Sequence, residues 1–213
     1  MAMLRTALDK GIAAVPDAPA VLRAFFDAVT TVPAWVDFDL VNEGGRVLSR
    51  LGQNAADVLL QLSLIGSYRF GGPTDLLVAT GGLTGSSTRR RLAETQKWTF
   101  SLTSHDAMRP PRAGVPGGEG WRLTVHVRAM HALVNASFEP RWDTARWGLP
   151  INQADLVATN VLFSAVYLGG LRVLGLQISD KESQEVMHLW RYIGWLIGVN
   201  ENLLPITEEE GTR

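Results

Sequence analysis

Cysteine is absent from the 213 residues, and that one absence removes several chemistries. Disulfides, thiolate zinc sites, iron–sulfur clusters and thiolate-ligated haem all need a sulfur ligand that this chain does not carry. Any metal must be held by His, Asp, Glu or a similar donor. Long hydrophobic runs are lacking too. The best stretch, Leu156 to Leu168, holds Thr159, Asn160 and Ser164 and then meets Gly169-Gly170, so it suits a buried helix rather than a transmembrane segment. The N-terminal MAMLRTALDKGIAAVPDAPAVL has early charged residues and no long apolar core, so it does not read as a secretory signal. No sign of charge dominates. Lys and Arg number 20 against 21 Asp and Glu, and a formal net charge of −1 argues against a broad basic surface for nucleic acid. These absences together suit a cytoplasmic protein.

Familiar catalytic motifs are missing as well. The four histidines, His105, His126, His131 and His188, show no H-E-x-x-H or His-carboxylate zinc spacing. The glycine-rich GGLTGSS lacks the lysine of a phosphate loop, and no G-x-S-x-G elbow occurs. Hydrolase, NTPase and dinucleotide functions therefore have no motif behind them.

What the chain does have is apolar content, 46% of residues, patterned with helical rather than alternating periodicity. Asp17 can cap a helix from about Pro19 to Val29. Asp37 begins a second segment, broken near Gly44-Gly45 and resumed to Leu51. Asn54 to Tyr68 reads as one buried helix ended by Gly71-Gly72-Pro73, with a short apolar piece from Thr74 to Ala79. A long helix is expected from Ser87 to Thr103, then a Pro/Gly-rich loop from Asp106 to Gly120, then a helix from Trp121 to Phe138. Asn152 can cap Gln153 to Leu168, and Ser179 with Glu182 forms a capping-box pattern opening a helix to Gly198. The tail Glu208-Glu209-Glu210 reads as frayed. Without an internal repeat or a domain boundary, the chain reads as a single all-α, multi-helix globular bundle.

Two groups of residues could carry chemistry. His131 lies on an apolar-rich helix, in VHVRAMHALVN, with Arg128 and Asn135 at i−3 and i+4 on its side. A neutral imidazole in such a place can ligate haem iron through one nitrogen, or it can be a satisfied core histidine. His126 is rotated by about 140° from it and would not share a ligand. His188, among aromatic neighbours, is the rival ligand; His105, at a helix end, reads as structural. Arg91 and Thr95 share a helix face four residues apart. They could polarise bound dioxygen or anchor a propionate, or be a surface Arg and a Thr bonded to its own helix. Arg89, Arg90 and Arg91 together oppose the helix dipole, which is purposeful if an anionic ligand lies nearby.

The segments RRRLAETQKW, GW-RLTVHVRAMHALV, RWDTARWGLPINQADLVATNVLFSAVYLGGLRVLG and HLWRYIGWLIGVNENLLP, with VPAWVDFDLVNEGGRV before them, resemble the rubber oxygenase (latex clearing protein) family. That family also contains the fungal mycophenolic acid pathway oxygenase, and the resemblance runs from about Val15 to Pro205. It implies an all-α fold with a globin-like core and one catalytic domain over residues 1–213, shorter at its C-terminal end than its relatives. It further implies haem b, dioxygen as co-substrate, and oxidation or cleavage of a carbon–carbon double bond in a hydrophobic, polyisoprenoid-type substrate. Peripheral membrane contact would suit such a substrate. The family's R-x-x-H falls on Arg128 and His131, making His131 the axial iron ligand with Arg128 and Asn135 as further cofactor-binding residues, and its pocket-lining R-x-x-x-T falls on Arg91 and Thr95 as the catalytic pair. Two positions depart. Asn135 stands where the pattern has arginine, and Glu94 where it has lysine. Glu94 or Asp75 is the available distal acid/base. These departures also admit a non-catalytic haem or hydrophobic-ligand binding protein.

Overall fold

The computed structural model describes residues 2–67, 71–82, 86–112 and 114–213. Among them no strand occurs, only an isolated bridge between Arg112 and Val115. The helices are α1 (Ala2–Lys10), α2 (Ala20–Thr30), α3 (Phe38–Val58), α4 (Ile65–Ser67), α5 (Gly71–Ala79) and α6 (Ser86–Ser101), followed by α7 (Glu119–Phe138), α8 (Thr144–Trp147), α9 (Gln153–Phe163), α10 (Ala165–Val173), α11 (Asp180–Ile197) and α12 (Glu208–Thr212). The all-α expectation holds.

The core is organised around α11. It repeats apolar residues at helical spacing on more than one side, and Val186, Leu189, Tyr192, Ile193 and Leu196 are fully buried. Its start is the capping box read from the sequence: Ser179 accepts from the Glu182 amide while the Glu182 carboxylate accepts from the Ser179 amide. Its end is Gly198 in the left-handed region, φ 108°. Helix α3 packs most extensively on α11, with α7 and α9 on other sides.

That packing explains the first correction. The expected break at Gly44-Gly45 does not occur; α3 runs through both. A Cβ on Gly44 would lie 2.4 Å from the Glu185 carbonyl oxygen of α11, and one on Gly45 would lie 2.8 Å from the Leu102 carbonyl oxygen. The pair is small so that backbones can touch, not so that the helix can end. The real bend is at Gly52, φ 55° and ψ −130°.

Other boundaries shift for local reasons. Pro19, not Asp17, precedes α2, and no side chain caps it. The expected helix from Asn54 is three pieces: the end of α3, a π-helical stretch Leu59–Leu64, and α4. Leu62 and Ile65 there are exposed, whereas Ser63 is buried and donates to the Leu162 carbonyl at 2.5 Å; Tyr68 lies outside the described residues. Gly71 and Pro73 fall inside α5 instead of ending a helix. Asn152 caps α9 as expected, accepting from the Asp155 amide at 3.0 Å. The helix then breaks at buried Ser164, φ −115° and ψ −90°, so that α10 turns to meet α12 and the π-helical stretch. The acidic tail is not frayed. Thr207 and Glu210 form a second capping box, and Glu208 pairs with Arg172 while accepting from Ser183 at 2.8 Å.

Candidate functional site

Helices α6 and α7 lie side by side. The Trp98 indole N–H of α6 donates to the Thr124 hydroxyl of α7 at 2.9 Å, and that hydroxyl donates onward to the Gly120 carbonyl at 2.7 Å. Both partners are apolar-face residues, so the bond ties together two surfaces that burial alone would leave free to slide.

Farther along this pair, Arg91 of α6 comes close to His131 of α7. The His131 ring is largely enclosed, and its Nδ1 is buried with no hydrogen-bond partner. Burial pushes its pKa from 6.5 down to about 4, and the nearby Arg91 cation adds to the shift. At neutral pH the ring is therefore uncharged, the form with a free nitrogen lone pair. Among the buried side-chain atoms without a partner, which include several indole nitrogens, it is the one imidazole nitrogen among the described residues.

The remaining predicted residues divide between this site and its supports. The Thr95 hydroxyl donates to the Arg91 carbonyl at 3.0 Å, the bond back to its own helix. Arg128 reaches the carbonyls of Trp195 and Leu196 at 3.4 and 3.3 Å, closing the C-terminus of α11. Its guanidinium, whose pKa is lowered by burial, is engaged there. Asn135 is a two-way clamp on the loop before α9, donating to the Ile151 carbonyl at 2.9 Å and accepting from the Ile151 amide at 2.7 Å. His131 thus stands between two structural anchors on one helix.

The alternatives lie elsewhere. Glu94 is exposed and pairs with Arg90 at 2.8 Å, and Asp75 is exposed. His188 accepts from the Asp37 amide at 3.0 Å and meets the Trp35 ring edge-on, so its role is to hold the start of α3. His105 is exposed beside Asp106. Among the described residues no group of three or more His, Asp or Glu side chains could hold a bare metal ion.

Periodicity did not reveal a groove of about 380 Å³ running between α3, the π-helical stretch and α6, floored by Phe163, Tyr167 and Trp190. Its lining does not include His131, Arg91 or Thr95. Gly52, where α3 bends, is part of its lining.

The family model for the "ER-bound oxygenase mpaB/B'/Rubber oxygenase, catalytic domain" matches residues 41–213. The chain belongs to this family. It is 21% identical over 191 residues to the rubber oxygenase of Streptomyces sp. (strain K30), covering 89% of this chain and 46% of that protein. Its fold is similar to that in a structure of latex clearing protein solved in the closed state, with a TM-score of 0.75 at 19% identity, covering 99% of this chain and 56% of the other. The chain spans about half the length of these relatives.

Proposed function

We propose that this chain is a haem b-dependent oxygenase domain in which His131 ligates the iron and dioxygen is used to oxidise or cleave a carbon–carbon double bond of a hydrophobic, isoprenoid-type substrate. The observation that carries the proposal is the largely buried, uncharged imidazole of His131, its Nδ1 without a hydrogen bond, in a chain of an oxygenase family. The substrate class follows the name of the rubber oxygenase relative.

The residues fit the cofactor. A bare ion would need several side-chain donors, which are not grouped among the described residues, whereas a porphyrin brings four nitrogens and asks the protein for one axial ligand. Haem, when bound, supplies dioxygen binding and the redox chemistry. His131 contributes a lone pair that its depressed pKa keeps free of a proton well below neutrality. Arg91 contributes positive charge beside the ring, suited to a propionate or to an oxygen atom gaining negative charge. The Thr95 hydroxyl keeps its lone pairs while its proton is committed to the Arg91 carbonyl, so it can accept but not freely donate.

Expression with a haem precursor, followed by absorption spectroscopy, tests the proposal. A Soret band lost in His131→Ala, together with oxygen uptake on a short polyisoprene oligomer, is the expected result. A wild-type spectrum in His131→Ala would overturn it. A second reading, a haem or hydrophobic-ligand binding protein without turnover, draws on the outward position of Glu94 and Asp75. It predicts the Soret band without oxygen uptake.

A further inference from the structure

The three successive arginines at the start of α6 have different fates. Arg90 is paired with Glu94, and Arg91 lies toward His131. Arg89 is exposed, forms no ion pair or hydrogen bond among the described residues, and lines the groove beside α3. Around the 3.6-residue turn, Arg89, Ala93, Gln96 and Phe100 share one face of α6, and Arg91, Thr95 and Trp98 share another, about 160° away. The groove and the His131 site therefore lie on different sides of the same helix.

The groove is largely apolar; Asp57, which accepts from Gln53 at 2.8 Å, is the one carboxylate among its described lining residues. Leu59, Leu60, Leu92 and Phe100 form its walls, and Phe163 and Trp190 lie on its floor. Its volume falls in the range of small-molecule sites. From Arg89 to Phe100, both in the lining, α6 runs about 17 Å at 1.5 Å per residue. The combination is a long greasy trough with an uncommitted cation at one end. Phe100, 55% exposed, is a large apolar side chain in its lining.

We propose that this groove is a second ligand site, separate from His131, that takes a single-chain amphiphile with an anionic carboxylate head, the chain lying along α6 and the head at Arg89. The apolar walls recognise the chain by burial, and Arg89 selects a negative over a neutral or positive head by charge. This gives Arg89 a partner at a helix start where the dipole disfavours a cation.

Isothermal titration calorimetry of the haem-loaded chain with dodecanoate, kept below its micelle concentration, tests the site, with dodecanol and dodecyltrimethylammonium as neutral and cationic controls. Saturable binding of one dodecanoate, stronger than either control, is expected. Arg89→Gln, an exposed and structurally mild change, should weaken dodecanoate by about threefold to fivefold and leave dodecanol unchanged. Ala93→Trp, which fills the trough from an exposed helical position, should weaken both by about tenfold. Equal affinity for all three heads, or indifference to both variants, overturns the proposal. So does binding that is lost in His131→Gln but kept in Arg89→Gln, since the ligand would then occupy the His131 site. Failure of the haem reading shows instead as a missing Soret band, with dodecanoate binding intact.

Discussion

Trp98 and Thr124 fix the distance at which Arg91 meets His131. From the Trp98–Thr124 hydrogen bond, Arg91 is seven residues back along α6 and His131 is seven residues forward along α7. Seven residues are close to two helical turns, so each helix returns to nearly the same facing direction at the second contact. The Trp98–Thr124 hydrogen bond and the Arg91–His131 approach thus share one helical register.

Removing that bond should be costly. Thr124→Val keeps the shape but leaves the Trp98 N–H without an acceptor, which lowers stability by about 1–3 kcal/mol. Urea denaturation reads the loss. A fall in haem affinity alongside it, measured by apo-protein competition, is the sign that register and site are coupled.

Acid should weaken the haem-free chain through His131. Unfolded, the ring titrates near its ordinary value of 6.5; folded, it titrates near 4. The unfolded state therefore takes up the proton first as pH falls. Stability is full above about pH 6.5 and declines towards pH 4, by up to about 3 kcal/mol from this group alone. Denaturation midpoints across that window should be flatter in His131→Gln than in the parent. Parallel curves would show that another group carries the acid sensitivity.

Two glycines in similar helical surroundings should respond in opposite directions. Gly44→Ala drives a methyl into the α11 backbone and should cost about 1–3 kcal/mol. A Cβ on Gly169 in α10 meets nothing within 4 Å, and Gly169→Ala should stabilise by about 0.5–1 kcal/mol. Thermal unfolding of the two variants separates close approach from mere flexibility.

Asn135 should behave as a structural clamp. Asn135→Ala deprives the Ile151 amide of its acceptor and should lower stability by about 1–2 kcal/mol while the folded fraction keeps its Soret maximum. A shifted maximum at unchanged stability would show that Asn135 touches the cofactor instead.

Legibility followed the physics of each element. Helix α11 was readable end to end because capping box, apolar spacing and terminal glycine are all local signals. The helix class and the family resemblance were readable for the same reason. Gly44-Gly45 was misread because composition cannot distinguish a glycine that ends a helix from one that admits a neighbouring backbone. The Ser164 break was invisible since it answers to α10 meeting α12, a contact between distant residues. At the site, the apolar setting of His131 was legible. The partners of Arg128 and Asn135 were not, because the α11 carbonyls and Ile151 lie far away in sequence.

Those two partners have a consequence for binding. Arg128 fastens α7 to the end of α11 three residues before His131, and Asn135 fastens it to the loop ahead of α9 four residues after. All three positions project from one side of the helix, so the stretch carrying the imidazole can neither twist nor slide. A group arriving at that ring meets a preorganised perch, and little ordering entropy is left to subtract from its affinity.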